Sequence, residues 1–204
     1  MNIAFINPSP ADAAAMAEIE ATCWPLAIAD DEACYRSRIE TYVQGQWLAE
    51  RDGKLLGIAS AQRISSEFLT AGPATHVRLT DSGSFRKSHS PDGDVFQLIS
   101  VSVLPSARGL RLGRRMVDHE IAFARNLAGI RRIIGFTRPA GYHKHADMPI
   151  EEYAAQRRAN GECLDPVLQF HLGGGAKMVS IHPGYRPADT EAGGYGILIE
   201  YPLG

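Results

Sequence analysis

Apolar residues at alternate positions predict the strands of this chain. In the run 95–104, Ile99, Val101 and Val103 share one face, and the run stops before Pro105. Two earlier runs are joined by Asp52-Gly53, a dipeptide that favours the positive φ angles of a tight hairpin turn. In all, the strand-like runs are 2–7, 46–51, 54–64, 95–104, 131–137, 177–181 and 196–201, so they are spread over the whole chain.

Apolar residues spaced three or four positions apart predict helices between these strands. The clearest helix begins at Leu112. Its apolar and charged residues are expected on opposite sides, Leu112, Met116, Phe123 and Leu127 against Arg114, Arg115, Asp118 and Glu120. Ser9-Pro10 and Asp31 resemble helix starts, as does Asp165-Pro166. The further helices are predicted over 10–23, 31–42, 149–160, and from 165 to the glycine run at 173–175.

The order of these elements predicts an α+β fold with a mixed central sheet of about six to seven strands flanked by helices. The helix after residue 112 separates two strands, which are therefore expected to pair in parallel. The segment 66–94 is rich in Gly, Pro, Ser and Asp and has little periodicity, so it is expected to be an insertion. A binding loop and a solvated loop with a short helix or strand both fit that segment. One domain is predicted over 1–204.

Composition narrows the class of protein. The chain has 204 residues, of which 45% are hydrophobic and 22% charged, as expected for one globular domain. A formal net charge of −2 argues against nucleic acid or an anionic membrane as the main partner. No apolar run reaches membrane-spanning length, so a cytoplasmic location is expected. Three scattered cysteines indicate neither a disulfide framework nor a metal site. The lone pair His143 and His145 does not suffice to predict a metal.

The turn between the strand at 95–104 and the helix at 112 predicts an anion site. Backbone N–H groups in the first turn of a helix lack intrahelical partners, and the helix dipole adds positive potential there. A glycine-bearing turn lets a ligand approach these groups closely, which suits a pyrophosphate. A strand-to-helix turn that binds nothing is the alternative interpretation.

The sequence of this turn, Arg108-Gly109-Leu110-Arg111-Leu112-Gly113, resembles the acyl-CoA-binding motif of the GNAT (Gcn5-related N-acetyltransferase) superfamily. That motif is Gln or Arg, two residues, Gly, one residue, then Gly or Ala, so Arg111 replaces its middle glycine. The resemblance implies an acyl-CoA donor held by Val101, Val103 and residues 108–113, with no metal. It also places Trp24 beside the acceptor cleft, although core packing is as good a reason for a tryptophan there.

Two departures from the motifs of GNAT amine acetyltransferases bear on the chemistry. Many members end a later helix in Leu-Tyr-x-x-x-Gly-Phe, and alignment with Gly175-Ala176 puts His171 at the tyrosine position. The strand 95–104 also lacks the glutamate that often deprotonates an amine acceptor. Both features resemble the GNAT-like loading domains of polyketide synthases, of the curacin type. That resemblance implies decarboxylation of a malonyl-type CoA and acyl transfer to a carrier-protein thiol, with Thr137 and His171 catalytic and Arg186 binding substrate.

Each of these residues also has a structural interpretation. His171 fits a buried histidine at a helix end, Thr137 fits a packed strand residue, and Arg186 fits a solvated loop residue. Two alternatives to decarboxylating S-acyl transfer remain from the sequence: acetylation of a small-molecule or peptide amine, and a non-catalytic acyl-CoA-binding module. Under the enzyme interpretations, Arg186 is suited to hold either a substrate carboxylate or a carrier-protein phosphate.

Overall fold

The computed structural model describes residues 3–107 and 109–204, which contain seven β-strands. In chain order they are β1 (Ala4–Ile6), β2 (Gln46–Arg51), β3 (Lys54–Ile64), β4 (Val95–Val103), β5 (Arg132–Thr137), β6 (Lys177–His182) and β7 (Gly196–Tyr201). They form one sheet in the order β1-β2-β3-β4-β5-β7-β6. Neighbours are antiparallel except for the parallel pair β4 and β5. The predicted mixed sheet is therefore confirmed.

The same described residues contain seven α-helices. They are α1 (Ala13–Cys23), α2 (Glu32–Tyr42), α3 (Ser66–Thr70), α4 (His76–Thr80), α5 (Leu112–Asn126), α6 (Ile150–Ala155) and α7 (Pro166–Leu172). Asp31 caps α2 by accepting from the backbone of Cys34, and Asp165 caps α7 by accepting from Val167 and Leu168. Among the described residues, no helix is both long enough and apolar enough to cross a membrane.

Helices cover both faces of the sheet because the strand residues alternate between two apolar faces. On one face, Met116 and Val117 of α5 and Leu168 of α7 join the largest buried cluster. On the other face, α1 and α2 pack on Leu48 and Ile58. The predicted hairpin between β2 and β3 is confirmed, since Asp52 and Gly53 both adopt positive φ angles, 54° and 72°.

The segment 66–94 packs against the sheet instead of projecting from it. It contains α3 and α4, and Leu69 and Leu79 lie in a buried cluster with Ile64, Val95 and Ile134. Burial of these side chains covers the face of β3, β4 and β5 that α1 and α2 leave open. The segment therefore contains two short helices, but it is packed on the sheet and is not a solvated loop.

Two helix predictions were wrong in detail. The helix expected over 149–160 ends at Ala155, and Gln156 is extended. Its buried residues are Ile150, Tyr153 and Ala154, whereas the residues after Ala155 are exposed and have no apolar surface to support another turn.

The second error concerns Glu120, which was expected on the polar side of the central helix. It lies among the buried residues of α5 and is 0% exposed. Its spacing of four from Met116 places it on the apolar stripe, so position on the helix outweighed side-chain polarity.

Candidate active site

A cleft opens in the middle of the sheet where β4 and β5 part. Their pairing ends at Leu98 and Gly135, while β4 continues to Val103. Near this point the register of β3 against β4 shifts by one residue, and Ile99 is the unpaired extra residue of a β-bulge. The resulting cavity of about 400 Å³ is lined by residues from both faces of the sheet. An extended ligand that enters between β4 and β5 can therefore reach residues on either face of the sheet.

The turn predicted to bind CoA lies between β4 and the N-terminus of α5. Gly109 and Arg111 both have positive φ, 86° and 52°. This left-handed conformation explains why a glycine is the usual residue at the position that Arg111 occupies here. Arg111 makes no side-chain cap to α5, so the first N–H groups of the helix stay available. Arg108 lies outside the described residues.

Three of the other residues predicted for CoA line the cleft itself, namely Val101, Val103 and Gly113. A Cβ atom at Gly113 would lie 3.8 Å from Phe170 and Val103, which is ordinary van der Waals contact. The packing therefore does not require glycine here, but glycine leaves more room in the cleft. Gly109, Leu110, Arg111 and Leu112 precede this wall as the turn and the first residue of α5.

His171 lies at the end of α7 and lines the cleft, partly exposed to it. Its Nδ1 atom is 2.7 Å from the hydroxyl oxygen of Tyr201. Burial and then the nearby Arg114 cation lower the pKa of His171 to about 4, so the ring is neutral at pH 7. Burial raises the pKa of Tyr201, which keeps its proton.

Arg114 lies near Tyr201 and acts on the pKa of its hydroxyl, while its Nε and Nη2 atoms donate to Asp118. In the tautomer in which Tyr201 donates to Nδ1 of His171, the ring proton is on Nε2. Among the described residues, no hydrogen bond is made to Nε2. In that tautomer the neutral imidazole has an N–H group to offer a ligand.

Two further polar side chains on this side of the cleft have no protein partner among the described residues. The hydroxyl of Thr137, a residue that is 4% exposed, makes no hydrogen bond. Both carboxyl oxygens of Glu120 are likewise unpartnered. Buried polar groups in native proteins are nearly always satisfied, so unsatisfied groups that line a cavity indicate where a ligand supplies the partner. The helical spacing of Glu120 from Met116 indicates that it is buried, but its charged side chain led to the opposite prediction.

The part of the cleft towards α1 is bounded by Trp24 and Arg138. The indole N–H of Trp24 donates to the Ser102 hydroxyl at 2.7 Å, and the Arg138 guanidinium lies 5.7 Å from the Trp24 ring centre. Arg138 also makes a two-pronged ion pair with Asp189, with distances of 2.6 and 2.7 Å. The sequence did not single out this pair, because its members are 51 residues apart. The cleft therefore has a rigid wall at this position.

Arg186 lines the same part of the cleft and is partly buried. One terminal nitrogen donates to the carbonyl of Ile28 at 2.6 Å and lies 3.6 Å from a carboxylate oxygen of Asp30. The interpretation of Arg186 as a freely solvated residue is therefore wrong. His76 is close by, and burial followed by the charge of Arg186 lowers its pKa to about 3.

One cleft is lined by four of the residues that the sequence singled out: Trp24, Thr137, His171 and Arg186. The structure does not bring together metal ligands: among the described residues there is no cluster of three or more His, Cys, Asp or Glu side chains able to hold a metal ion.

The mixed sheet and the glycine turn between β4 and α5 agree with the class implied by the motif at 108–113. The chain belongs to the acetyltransferase (GNAT) family, whose model matches residues 13–146. Among curated proteins it is similar to the probable hydrolase YhcX of Bacillus subtilis (strain 168), with 33% identity over 166 residues. That match covers 81% of this chain but 32% of the relative, so this chain spans about a third of the relative's length.

Two solved structures are similar over essentially the whole chain. The loading GNATL domain of CurA from Lyngbya majuscula is 29% identical, with a TM-score of 0.88, and the match covers 100% of this chain and 98% of that one. The GphF GNAT-like decarboxylase in complex with isobutyryl-CoA is 30% identical, with a TM-score of 0.85, and the match covers 98% and 100%.

Proposed function

We propose that this chain binds a malonyl-type CoA in the cleft between β4 and β5, decarboxylates it, and transfers the resulting acyl group to a thiol on a carrier protein. The observation that carries the proposal is a neutral His171 in the same cleft as the unpartnered hydroxyl of Thr137. The likeness of the whole chain to a GNAT-like decarboxylase and to a loading domain supports the same reaction.

The binding step follows from the turn before α5. The free N–H groups of the first helical turn and the positive end of the helix dipole suit the pyrophosphate of CoA. From there the pantetheine arm would run along Val101 and Val103 to the point where β4 and β5 part. This path would bring the thioester into the cleft that Thr137 and His171 both line.

Decarboxylation needs donors at the thioester oxygen. When the bond between the α-carbon and the carboxylate breaks, its electron pair forms an enolate, and carbon dioxide leaves. The Nε2–H group of His171 and the hydroxyl of Thr137 would stabilise the enolate oxygen, and such donors act most strongly in a cleft that excludes water. A neutral imidazole can take this role because one of its ring nitrogens carries an N–H group that donates a hydrogen bond.

The acidic residues of the cleft favour acyl transfer to a thiol over acyl transfer to an amine. Among the described residues that line it, the acidic side chains are Glu120, which is buried without a counter-ion, and Asp189, which is paired with Arg138. Neither is a free carboxylate able to deprotonate an ammonium group. A thiol loses its proton about two pKa units more easily than an amine, so it makes a smaller demand on the site. The S–H bond of the acceptor would break as its sulfur attacks the carbonyl carbon, the bond to the CoA sulfur would break, and the departing CoA thiolate would take up the proton.

Arg186 is assigned to the anionic arm of the incoming acceptor. A cation paired with the substrate carboxylate would stabilise that group and slow its loss, whereas a phosphate on a phosphopantetheine arm is not consumed in the reaction. The position of Arg186 in the part of the cleft near Ile28 and Asp30 agrees with entry of the acceptor from the α1 side.

The reaction can be tested by incubating the protein separately with acetyl-CoA, malonyl-CoA and methylmalonyl-CoA, with and without a holo carrier protein, and following products by mass. The expected result is loss of carbon dioxide from the two carboxylated donors and appearance of the acyl group on the carrier. Turnover of acetyl-CoA only when an amine is present would establish N-acetylation instead. Tight acyl-CoA binding without any product would indicate a non-catalytic module.

A further inference from the structure

Glu120 occupies an unusual position for a carboxyl group. It is 0% exposed, lines the cleft one helical turn beyond Val117, and has no hydrogen-bond partner for either oxygen among the described residues. Burial raises the pKa of Glu120 well above its usual range, and no cation among the described residues is a cause of that shift. An ionised carboxylate in such surroundings would cost several kcal/mol, so the side chain carries a proton. The wall of the cleft therefore holds an O–H donor that has no acceptor among the described residues.

The position of Glu120 links this donor to the proposed chemistry. It interacts electrostatically with Tyr201, the residue bonded to His171, and therefore lies on the same side of the sheet as the enolate-stabilising groups. The cleft that Glu120 lines is also bounded by Leu98 and Gly135, the last pair at which β4 and β5 are joined. An acyl group that extends past the thioester towards this end would approach the part of the cleft that Glu120 lines.

The enolate-stabilising groups themselves are weaker acids than a carboxyl group. His171 is neutral, and a neutral imidazole N–H is a far weaker acid than a carboxyl group. The Thr137 hydroxyl is weaker still. A protonated carboxyl is an acid of suitable strength for carbon, and its raised proton affinity lets it recover the proton from water at neutral pH.

We infer that Glu120 is the acid that protonates the α-carbon of the enolate thioester. The inference rests on the proposed decarboxylation. The O–H bond of Glu120 breaks, its proton forms the new C–H bond, and the enolate electron pair becomes that bond's electron pair. The carboxylate left behind regains a proton from water before the next turnover. No oxidant, reductant or further co-reactant takes part.

The stereochemistry of the product tests this assignment. In D₂O, methylmalonyl-CoA yields propionyl-CoA with one deuterium at the α-carbon, which is then a stereocentre. Delivery by Glu120 comes from one face, so the wild-type product is expected to be a single enantiomer. In Glu120→Gln the amide keeps the shape but cannot protonate carbon, so water supplies the deuteron and the two enantiomers form in equal amounts. Binding of propionyl-CoA is expected to change less than about threefold.

Controls separate the assignment from folding and from the proposed function. Glu18→Gln changes an exposed glutamate on α1 and should leave the single enantiomer intact. Glu120→Met, which suits an apolar environment, replaces Glu120→Gln should the buried amide prevent folding. A single enantiomer from a folded Glu120 variant, or a racemic product from the wild type, overturns the role of Glu120 while decarboxylation stands. No carbon dioxide from the wild type overturns both.

Discussion

Two groups of buried polar side chains lie on opposite sides of the sheet, and they differ in how far the protein satisfies them. Beneath α2, Arg38 donates to Asp30 and to the carbonyl of Gly83, and Tyr35 donates to Glu20. We call these four side chains, Glu20, Asp30, Tyr35 and Arg38, the α2 network. Arg38 also stacks on two aromatic rings, and of its nitrogens Nη1 alone lacks a bond among the described residues.

The cleft group, made of Glu120, Thr137, His171 and Tyr201, leaves more open. Its internal hydrogen bond joins His171 to Tyr201, while three oxygen atoms of Thr137 and Glu120 have no partner among the described residues. Satisfied polar groups hold elements together, whereas unsatisfied groups cost stability and are retained where a ligand uses them. Substitutions in the α2 network should therefore change stability, and those in the cleft group should change turnover.

The largest effect is expected from Arg38→Met. The aliphatic stem is kept, but Asp30 and Glu20 lose the buried cation that faces them, and breaking a buried pair costs about 3–5 kcal/mol. Urea unfolding measures the loss. Arg36→Met is the matched control on the same helix, because its partner Glu32 is exposed and such a pair contributes less than about 1 kcal/mol. Equal losses in the two variants would remove the distinction between the network and an ordinary surface pair.

Next in size is His171→Ala. Removing one donor to a developing oxyanion lowers kcat by about 10²- to 10³-fold, while CoA binding at the turn before α5 should be retained. Turnover is followed by mass and CoA affinity by calorimetry. Tyr201→Phe removes only the bond to Nδ1 and is expected to give a smaller loss. Unaltered turnover in His171→Ala would remove this residue from the mechanism.

Thr137→Val is expected to separate activity from stability. It deletes a buried hydroxyl that has no partner, so the free energy of unfolding should stay unchanged or rise slightly. Turnover should fall about 10- to 100-fold, the value of one hydrogen bond to a charged oxygen.

The matched control is Thr80→Val. The Thr80 hydroxyl is also buried, but it donates to the carbonyl of His76 and accepts from the N–H of Gly83. Its loss should cost about 1–3 kcal/mol without changing the chemistry of the cleft. If Thr137→Val proved as destabilising as Thr80→Val, its hydroxyl would have a structural partner after all.

The sequence predicted the cleft group better than the α2 network. Alternation and helical spacing predicted the strands and most helices, because burial on two faces imposes those periods. The motif at 108–113 and the sequence around His171 predicted residues of the cleft. Glu120 was missed because a charged residue on a helix is ordinarily solvated, although its spacing of four from Met116 puts it on the apolar stripe of α5. The α2 network depends on contacts such as that of Arg38 with Gly83, 45 residues away, which spacing cannot predict.

The smallest expected effect is a pH dependence of stability due to His171. Its pKa of about 4 in the folded protein lies below the ordinary 6.5 of an unfolded chain. Between pH 6.5 and 4 the unfolded state binds a proton that the folded state does not, so stability falls as pH falls through this window. Urea unfolding at pH 7.5 and 4.5 should therefore show a smaller loss for His171→Gln than for the wild type. His76, with a pKa of about 3, is present in both proteins and its contribution cancels. Equal losses would mean that His171 is not held neutral by its burial, and the role of neutral donor assigned to it would fail with that result.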